Sequence, residues 1–309
     1  MLDIISVGPG EAVLLTDDAK QAIDRADAVW CAARHAVLVP PEKARPLSLL
    51  EGAIEQMRLS SDAGQSAAVL VSGDAGLYSL LEMLKRKISG EYLRVHPGVS
   101  ALQLFAARLG VSWQDAKILS AHGRALSESA LCHAVRTHRQ TFCFLDAAHN
   151  PAWVRESLNL GGLENVRLFV GERLSYPDER TEAYDPDATY DPLCMAYIEN
   201  DAPESGLPPV GLSDEAFIRG KTPMTKRDVR ALVVSALHLK PNGVVWDIGA
   251  GTGSVSVECA RQCPLGEVYA VEMKDEALDL IRRNAERFHA LNLRVVPGRA
   301  PEVLSALPA

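Results

Sequence analysis

One short stretch, VVWDIGAGTGSVSVE, holds the residues of this chain that are best suited to bind a ligand. Its glycines at 249, 251 and 253 let the main chain turn sharply and approach a nucleotide-like ligand to a distance that any Cβ atom would obstruct. Glu272 stands about 25 residues after Asp247, where a carboxylate can accept hydrogen bonds from both ribose hydroxyls. The spacing therefore predicts a nucleoside-binding site between a buried strand and a helix.

The order of these glycines separates two classes of cofactor. A nicotinamide fingerprint reads GxGxxG, whereas this loop reads GxGxG and has Asp247 just before it. In this it resembles the S-adenosylmethionine loop of class I methyltransferases, formed here by Gly249, Ala250, Gly251, Thr252 and Gly253. A nicotinamide site and a glycine turn that serves only packing remain as alternatives.

Four loops rich in small residues occupy the first part of the chain. They are GPG (Gly8, Pro9 and Gly10), GDAGLY (Gly73 to Tyr78), HPGVSALQLFAARLG (His96 to Gly110) and SAHGR (Ser120 to Arg124). Each follows a predicted strand, and open α/β sheets bind ligands in the crevice outside the carboxyl ends of their strands. One such loop alone is more often a turn, but the four together predict a single ligand crevice.

Alternating strand and helix patterns supply the elements that position these loops. Thr16 is the expected N-cap of the first helix, and Ser100 is expected to cap a helix that stops at Gly110. The fold class that this pattern predicts is α/β. The strands predicted in the first part are LDIISV, ADAVWC, AAVLVSG, YLRVH, AKILS, TFCFLD, VRLFVG and CMAYIE.

A stretch rich in proline and glycine, DAPESGLPPVGLSD, divides the chain near Pro209. After it a βαβαβ pattern restarts with a helix from about Thr225 to Leu239, and such a unit is half of an open doubly wound sheet. We therefore expect domains at 1–208 and 209–309. Because the chain ends at Ala309, soon after the third strand, we expect a C-terminally truncated second domain with an exposed hydrophobic edge and weak or absent activity.

The composition excludes several classes of protein. With 47% hydrophobic and 23% charged residues the chain is neither disordered nor fibrous, and its net charge of −8 disfavours nucleic acid as a partner. A polyanionic ligand would therefore need a local basic pocket. No apolar run reaches the ~20 residues of a membrane span and no signal peptide begins the chain, so we expect a cytoplasmic protein without membrane partners. The scattered cysteines predict buried reduced thiols and no metal site.

The loops of the first part, in this order, resemble those of the tetrapyrrole methylase family, which binds S-adenosylmethionine in a folded shape between two α/β lobes. The resemblance runs through nearly all of residues 1–200, with Ala75 where relatives often have proline. It leaves His122 and Arg124 as catalytic candidates, with a structural loop as an equal alternative. The cofactor contacts that it implies are the Gly8–Gly10 loop, Gly73, Asp74, Ala75, Leu77, Tyr78, Ser100, Ala101, Met195 and Ala196.

The second part carries a more specific resemblance. The stretch FIRGKTPMTKRDVRAL, followed by the glycine loop, is similar to the decarboxylating precorrin methyltransferases of corrin-ring synthesis. Arg299 stands where many class I methyltransferases carry an acid that binds adenine, which is a departure from the class. The cofactor contacts that the resemblance implies are Thr225, Asp247, the Gly249–Gly253 loop, Glu272 and Ala300.

Together the two resemblances imply C-methylation of a precorrin-6 tetrapyrrole by S-adenosyl-L-methionine, at carbon 5 by the first domain and at carbon 15 by the second, with decarboxylation of an acetate side chain, in cobalamin biosynthesis. We also expect a homo-oligomer. Three alternatives stay open: another substrate for the same fold, a nicotinamide oxidoreductase, and a chain active only through its first domain with the second as a docking module. Basic side chains would match the substrate carboxylates, with Arg124, Arg219 and Lys221 as candidates and Arg34, Arg173, Lys226 and Arg227 as further ones.

Overall fold

The structure is a computed structural model that describes residues 1–47, 50–88 and 93–308. It confirms the α/β class. The strands are β1 (Leu2–Ser6), β2 (Ala28–Cys31), β3 (Ala44–Pro46), β4 (Ala67–Val71), β5 (Leu93–His96), β6 (Lys117–Ser120), β7 (Gln140–Phe144), β8 (Arg167–Glu172), β9 (Arg180–Ala183), β10 (Cys194–Glu199), β11 (Val244–Ile248), β12 (Glu267–Glu272) and β13 (Leu293–Pro297). The α-helices are α1 (Asp17–Arg25), α2 (Leu50–Asp62), α3 (Leu81–Lys87), α4 (Ala101–Leu109), α5 (Glu128–Thr137), α6 (Pro151–Leu160), α7 (Arg227–Ala236), α8 (Ser254–Gln262) and α9 (Asp275–Arg287).

The chain divides into two compact units. The first consists of Met1–Asp115 and Phe169–Met195, and the second of Ala116–Leu168 and Ala196–Ala309. The interval 209–309 therefore lies within the second unit. Along the described residues no helix combines the length and the apolar character needed to cross a membrane.

A parallel sheet with the strand order β3-β2-β4-β1-β5 forms the centre of the first unit. Every residue of β1 and β4 is buried, as expected for a parallel sheet that is covered on both faces. Leu2 and Ile4 of β1 belong to one core cluster, and Ile5 belongs to another. The same unit contains the antiparallel pair of β8 and β9. Neither β3 nor β9 was predicted from the sequence.

Two helices of the first unit begin at the predicted caps. The hydroxyl of Thr16 accepts a hydrogen bond from the N–H of Ala19 at 3.1 Å. Ser100 and Gln103 form a reciprocal capping box, in which each side chain accepts from the backbone N–H of the other residue. The second of these helices, α4, ends at Gly110, whose φ of +67° favours glycine. Both predicted N-caps are confirmed.

The second unit contains the adjacent strands β6, β7 and β10 and a separate parallel sheet with the order β11-β12-β13. Val257, Val268 and Ile281 lie in the core between this last sheet and helices α8 and α9. Along β11, Val244, Trp246 and Ile248 are about half exposed. Helix α7 begins at Arg227, two residues after the expected Thr225, and ends at Ala236.

Candidate functional site

The glycine loop of the second unit, residues 249–253, joins β11 to α8. Gly249, Gly251 and Gly253 have φ angles of +80°, +57° and +75°, a region that favours glycine. A Cβ atom on Gly253 would lie 3.1 Å from Ile281, so this glycine allows the loop to pack closely against α9. A Cβ atom on Gly249 would meet nothing within 4 Å. The main chain at Gly249 is therefore open to a ligand.

Glu272, at the end of β12, contacts this loop directly. Its Oε2 accepts a hydrogen bond from the N–H of Gly251 at 3.0 Å, and its Oε1 accepts from Met273 at 2.8 Å and Lys274 at 3.0 Å. A carboxylate has about four lone-pair sites, two on each oxygen. Because Oε2 accepts only one hydrogen bond, its second lone pair can accept another from a ribose hydroxyl. Burial raises the pKa of Glu272, but these three backbone hydrogen bonds outweigh burial and hold it below its usual value. Glu272 is therefore charged at neutral pH.

Asp247 lies on β11, immediately before the loop. Its carboxylate accepts a hydrogen bond from the hydroxyl of Ser256, which belongs to α8. Burial raises the pKa of Asp247, and the negative charge of Glu272 adds to this, while the bond from Ser256 opposes it. The contact joins the elements on the two sides of the glycine loop.

A buried ion pair that the sequence analysis missed holds the segment before the loop. Arg230 of α7 and Glu258 of α8 have side chains that are 0% exposed, and Nε of Arg230 donates to Glu258 at 2.6 Å. The same guanidinium donates to the carbonyl oxygens of Thr225, at 2.6 Å, and of Leu212, and lies 3.3 Å from the carboxylate of Asp214. The Arg230 side chain thus fixes the position of Thr225 by binding the backbone carbonyl group of Thr225.

Asn284 of α9 connects the same segment to the loop. Its amide donates to the carbonyl oxygens of Thr252, at 2.9 Å, and Ile218, at 3.1 Å, and accepts from the N–H of Ile218 at 2.8 Å. A Cβ atom on Gly251 would be 3.4 Å from the carbonyl oxygen of Pro223. The segment that contains the predicted contact Thr225 therefore lies beside the glycine loop.

The remaining predicted residues of the second unit lie on turns. Ala300 is half-buried after β13, and the N–H of Gly298 donates to the carbonyl oxygen of Glu272 at 2.9 Å, which brings this turn to the end of β12. Arg219 and Lys221 are exposed in the segment before the loop, and the N–H of Lys221 donates to the carboxylate of Glu276 at 3.2 Å.

In the first unit, two of the predicted loops are joined by backbone hydrogen bonds. The N–H of Gly8 donates to Gly73 at 3.2 Å, and the N–H of Gly73 donates back to Gly8 at 2.7 Å. Both glycines have positive φ, at +71° and +67°. Pro9 and Gly10, which continue the first loop, are buried. These two loops thus form one continuous structure.

Asp74 joins the second of these loops to the HPG turn. Its carboxylate accepts from the N–H of Gly98 at 3.1 Å and from that of Gly76 at 2.8 Å. Ser6, which the sequence analysis did not single out, accepts from the N–H of Ala75 at 2.9 Å, and a Cβ atom on Gly98 would approach the Ser6 Cβ to 2.7 Å. In the structure Asp74 and Ser6 therefore organise the loops.

The other predicted contacts of the first unit follow from this arrangement. Leu77 donates its N–H to the carbonyl oxygen of Asp74 at 3.1 Å, and Tyr78 is exposed with a φ of +48°. Ser100 is buried as the cap of α4, and Ala101 is the first residue of that helix. Three predicted loops of this unit therefore meet at the carboxyl ends of β1, β4 and β5.

Tyr176 is a further residue of this site that the sequence analysis missed. A Cβ atom on Gly10 would lie 2.1 Å from the Tyr176 hydroxyl oxygen, so the ring ends directly on the GPG loop. This hydroxyl is buried and has no hydrogen-bond partner among the described residues. The guanidinium of Arg173 lies over the ring, 5.0 Å from its centroid. No spacing in the sequence indicates this long-range contact.

The SAHGR turn and β10 contribute the remaining candidates. His122 and Arg124 are exposed after β6 in the second unit. Met195 lies in the first unit and Ala196 in the second, and both side chains are buried in β10. The further basic candidates contact protein groups: Arg34 donates to Ser72, Arg173 pairs with Asp178, Arg227 donates to Gly211, and Lys226 lies 3.8 Å from Asp214.

Comparison with known proteins gives two family matches and several relatives. The model described as Tetrapyrrole (Corrin/Porphyrin) Methylases matches residues 1–185, and that described as Precorrin methyltransferase domain matches residues 215–309. A precorrin-6Y C(5,15)-methyltransferase (decarboxylating) from Sinorhizobium sp is 32% identical over 99% of this chain and 76% of that protein. A probable cobalt-precorrin-6B C(15)-methyltransferase (decarboxylating) from Pyrobaculum calidifontis is 50% identical over 32% of this chain and 52% of that protein, so the chain spans about half of that relative.

A solved structure shows the same fold. The uroporphyrin-III C-methyl transferase from Thermus thermophilus, complexed with S-adenyl homocysteine, has a TM-score of 0.51 at 19% identity and covers 64% of this chain and 96% of that chain. The first family model covers more than half of the sequence, and the Sinorhizobium relative is similar along nearly all of it. The chain therefore belongs to the tetrapyrrole (corrin/porphyrin) methylase family.

Proposed function

We propose that this chain methylates a precorrin-6 tetrapyrrole at carbons 5 and 15 with S-adenosyl-L-methionine and removes carbon dioxide from an acetate side chain, in cobalamin biosynthesis. Residues 1–208 would act at carbon 5, and residues 209–309 at carbon 15. The name of the Sinorhizobium relative supports both reactions, and the names of the C(15)-methyltransferases that match the second part support the assignment of that part.

The observation that carries this proposal is the contact between the glycine loop and Glu272. Three donors already bind the Glu272 carboxylate, and one lone pair of Oε2 is left beside the open main chain of Gly249. The hydroxyl of Thr252 is also buried without a hydrogen-bond partner in the described residues. An open backbone, a charged carboxylate and a spare hydroxyl fit the polar ribose of a sulfonium nucleoside.

The first unit offers a second, different cradle. The Gly8–Gly73 pairing and the Asp74 carboxylate fix three loops relative to one another at the ends of parallel strands. Such an edge is where α/β sheets bind ligands. The Thermus thermophilus neighbour with S-adenyl homocysteine supports cofactor binding by this fold.

Positioning is the main task of the protein in this chemistry. When bound, S-adenosyl-L-methionine supplies a methyl group on a positively charged sulfur, which an electron-rich ring carbon can attack. The loops would hold the reacting atoms in line and exclude water, which can contribute about 7–11 kcal/mol to lowering the barrier. Arg219 and Lys221 would bind substrate carboxylates near the second site, and Arg124 is a further candidate for binding them. His122 and Arg124 remain the candidates for a direct catalytic role.

One pair of variants tests the two cradles separately. Gly10→Ala places a Cβ atom against the Tyr176 hydroxyl, and Gly251→Ala strains a residue at φ +57°. Gly64→Ala is the matched control, because Gly64 also has positive φ, at +77°, but a Cβ there meets nothing within 4 Å and the residue is exposed in a turn outside the predicted ligand loops. Circular dichroism of each variant checks that it is folded.

We expect the unsubstituted chain to bind two equivalents of S-adenosylhomocysteine in calorimetric titration and each loop variant to bind one. With precorrin-6 substrate and labelled cofactor, Gly251→Ala should add one methyl group without releasing carbon dioxide. Gly10→Ala should retain the methylation that is coupled to the release of carbon dioxide. A chain that transfers no methyl group to the tetrapyrrole, or a single variant that removes both reactions and both binding events, contradicts the proposal.

A further inference from the structure

A concave pocket of about 340 Å³ lies in the second unit and is lined by none of the residues of the glycine loop. Its walls come from α5, from the turn after α6, from the carboxyl-terminal ends of α8 and α9 and from the chain around residues 204–208. The charged side chains and histidines that line it are Arg136, Arg261, Arg287, His133, His289 and Glu204. No residue of this pocket has a role in the proposed methyl transfer.

The pocket concentrates positive charge in an acidic chain. Three guanidinium groups face one carboxylate, whereas the whole chain carries a net charge of −8. Burial lowers the pKa of Arg261 from its usual value, and the positive charge of Arg136 adds to this, against the opposing effect of Glu258 and Glu204. Clustered like charges are unfavourable unless an anion compensates them. The pocket therefore has the electrostatics of an anion site.

Its donors are also largely unused. Among the described residues, the side chains of Arg261 and Arg287 donate no hydrogen bond and form no ion pair. Arg136 donates to the carbonyl oxygen of Gly161 at 2.6 Å but lies 3.7 Å from Glu204, which is a weak pairing. Guanidinium groups in a concave site with unfilled donors match carboxylate or phosphate oxygens.

The walls of the pocket are held in place by close packing. The ring of His289 donates to the carbonyl oxygen of Leu160 at 2.8 Å, and a Cβ atom on Gly162 would lie 2.6 Å from that ring. Across the pocket, the hydroxyl of Ser129 donates to the carbonyl oxygen of Pro264 at 2.7 Å. These contacts join α5 and α6 to residues of the 209–309 interval, so the main-chain segments that carry the basic groups are held together before a ligand arrives.

We propose that this pocket binds carboxylate side chains of the tetrapyrrole substrate, with Arg261 and Arg287 as the principal ligands. The identity of the ligand rests on the proposed function, whereas the presence of an anion site does not. A volume of about 340 Å³ is at the small end of ligand pockets, which suits one edge of a macrocycle with its acidic arms. The site would hold the substrate outside the two cofactor loops.

Titration of the full chain with uroporphyrin III, a stable tetrapyrrole with free carboxylates, tests this assignment by fluorescence. We expect Arg261→Gln and Arg287→Gln each to weaken one class of site by roughly 10- to 100-fold, the loss of charge-assisted hydrogen bonds. The double variant should lose one equivalent of bound tetrapyrrole. Arg282→Gln is the matched control, because Arg282 is an exposed arginine of the same helix α9 that does not line the pocket.

Two further ligands identify the source of the anion. The octamethyl ester of uroporphyrin should fail to fill the site, and inorganic phosphate should compete weakly. Equal titration curves for the double variant, Arg282→Gln and the unsubstituted chain would overturn the proposal, as would a site that binds phosphate but not the free acid. Methyl transfer is measured on the same samples. A chain that fills the site but transfers no methyl group contradicts the proposed function alone.

Discussion

Replacing Glu258 with glutamine should strongly destabilise the second unit. The substitution keeps the shape of the side chain, but it leaves one oxygen and one NH2 group where two oxygens now accept from the N–H groups of Gly211 and Leu212 and from Nε of Arg230. It therefore removes the charge and at least one of these hydrogen bonds. Arg230 would then be a fully buried cation whose nearest carboxylate is Asp214, at 3.3 Å. Removing one partner of a buried ion pair costs about 3–5 kcal/mol, and the remaining carboxylate puts our expectation near the lower value.

This cost is measured by urea unfolding, with hydrogen exchange of peptides from α7 and α8 as the readout. Asp279→Asn is the matched control, since its partner Arg283 lies at 3.4 Å and both side chains are more than half exposed. That exposed pair should contribute less than about 0.5 kcal/mol. Arg230→Met in the Glu258→Gln background should recover part of the loss, because it removes the uncompensated cation. A cost equal to that of the control, or no recovery in the double variant, would refute the reasoning.

Two further predictions concern the glycine loop. Gly253→Ala combines a φ of +75° with a Cβ 3.1 Å from Ile281, so it should cost about 1–3 kcal/mol of stability and weaken one S-adenosylhomocysteine site in calorimetry; unchanged binding would contradict it. Burial raises the pKa of Asp247, so the folded state holds its proton more tightly, and stability falls as pH rises from the ordinary value of 3.8 through the folded pKa. The free energy of unfolding of Asp247→Asn, measured in urea, should therefore rise relative to that of the unsubstituted chain as the pH goes from acid to neutral. The same difference in free energy at acid and at neutral pH would contradict this prediction.

Local patterns in the sequence were sufficient to predict the elements around the second site. The GxGxG spacing, the preceding Asp247 and the later Glu272 are close in sequence to the strands that carry them, and the structure brings Glu272 and Gly251 into contact. Thr16 and Ser100 were predictable for the same reason, because a cap bonds to residues three positions away.

The missed features depend on contacts between distant residues or on weak patterns. The strands β3 and β9 are short, end their sheets and are partly exposed, so neither shows the apolar pattern of a buried strand. Arg230 and Glu258 are 28 positions apart, and a charged residue in a basic run normally indicates a solvated surface. The one available signal was that Arg230 stands four positions before the buried Val234, on the same helix face. Tyr176 is still more remote from Gly10.

The hydrogen bonds from Ser129 to Pro264 and from His289 to Leu160 have a consequence for protein engineering. The boundary near residue 209, where the two methyltransferase sequences join, is not a structural boundary, because residues before and after it are hydrogen-bonded to each other. A chimera that exchanges only residues 209–309 for those of another species would pair foreign side chains with native α5 and α6. Exchanging 116–168 together with that interval should preserve the bonded surface, and expression yield would show the difference.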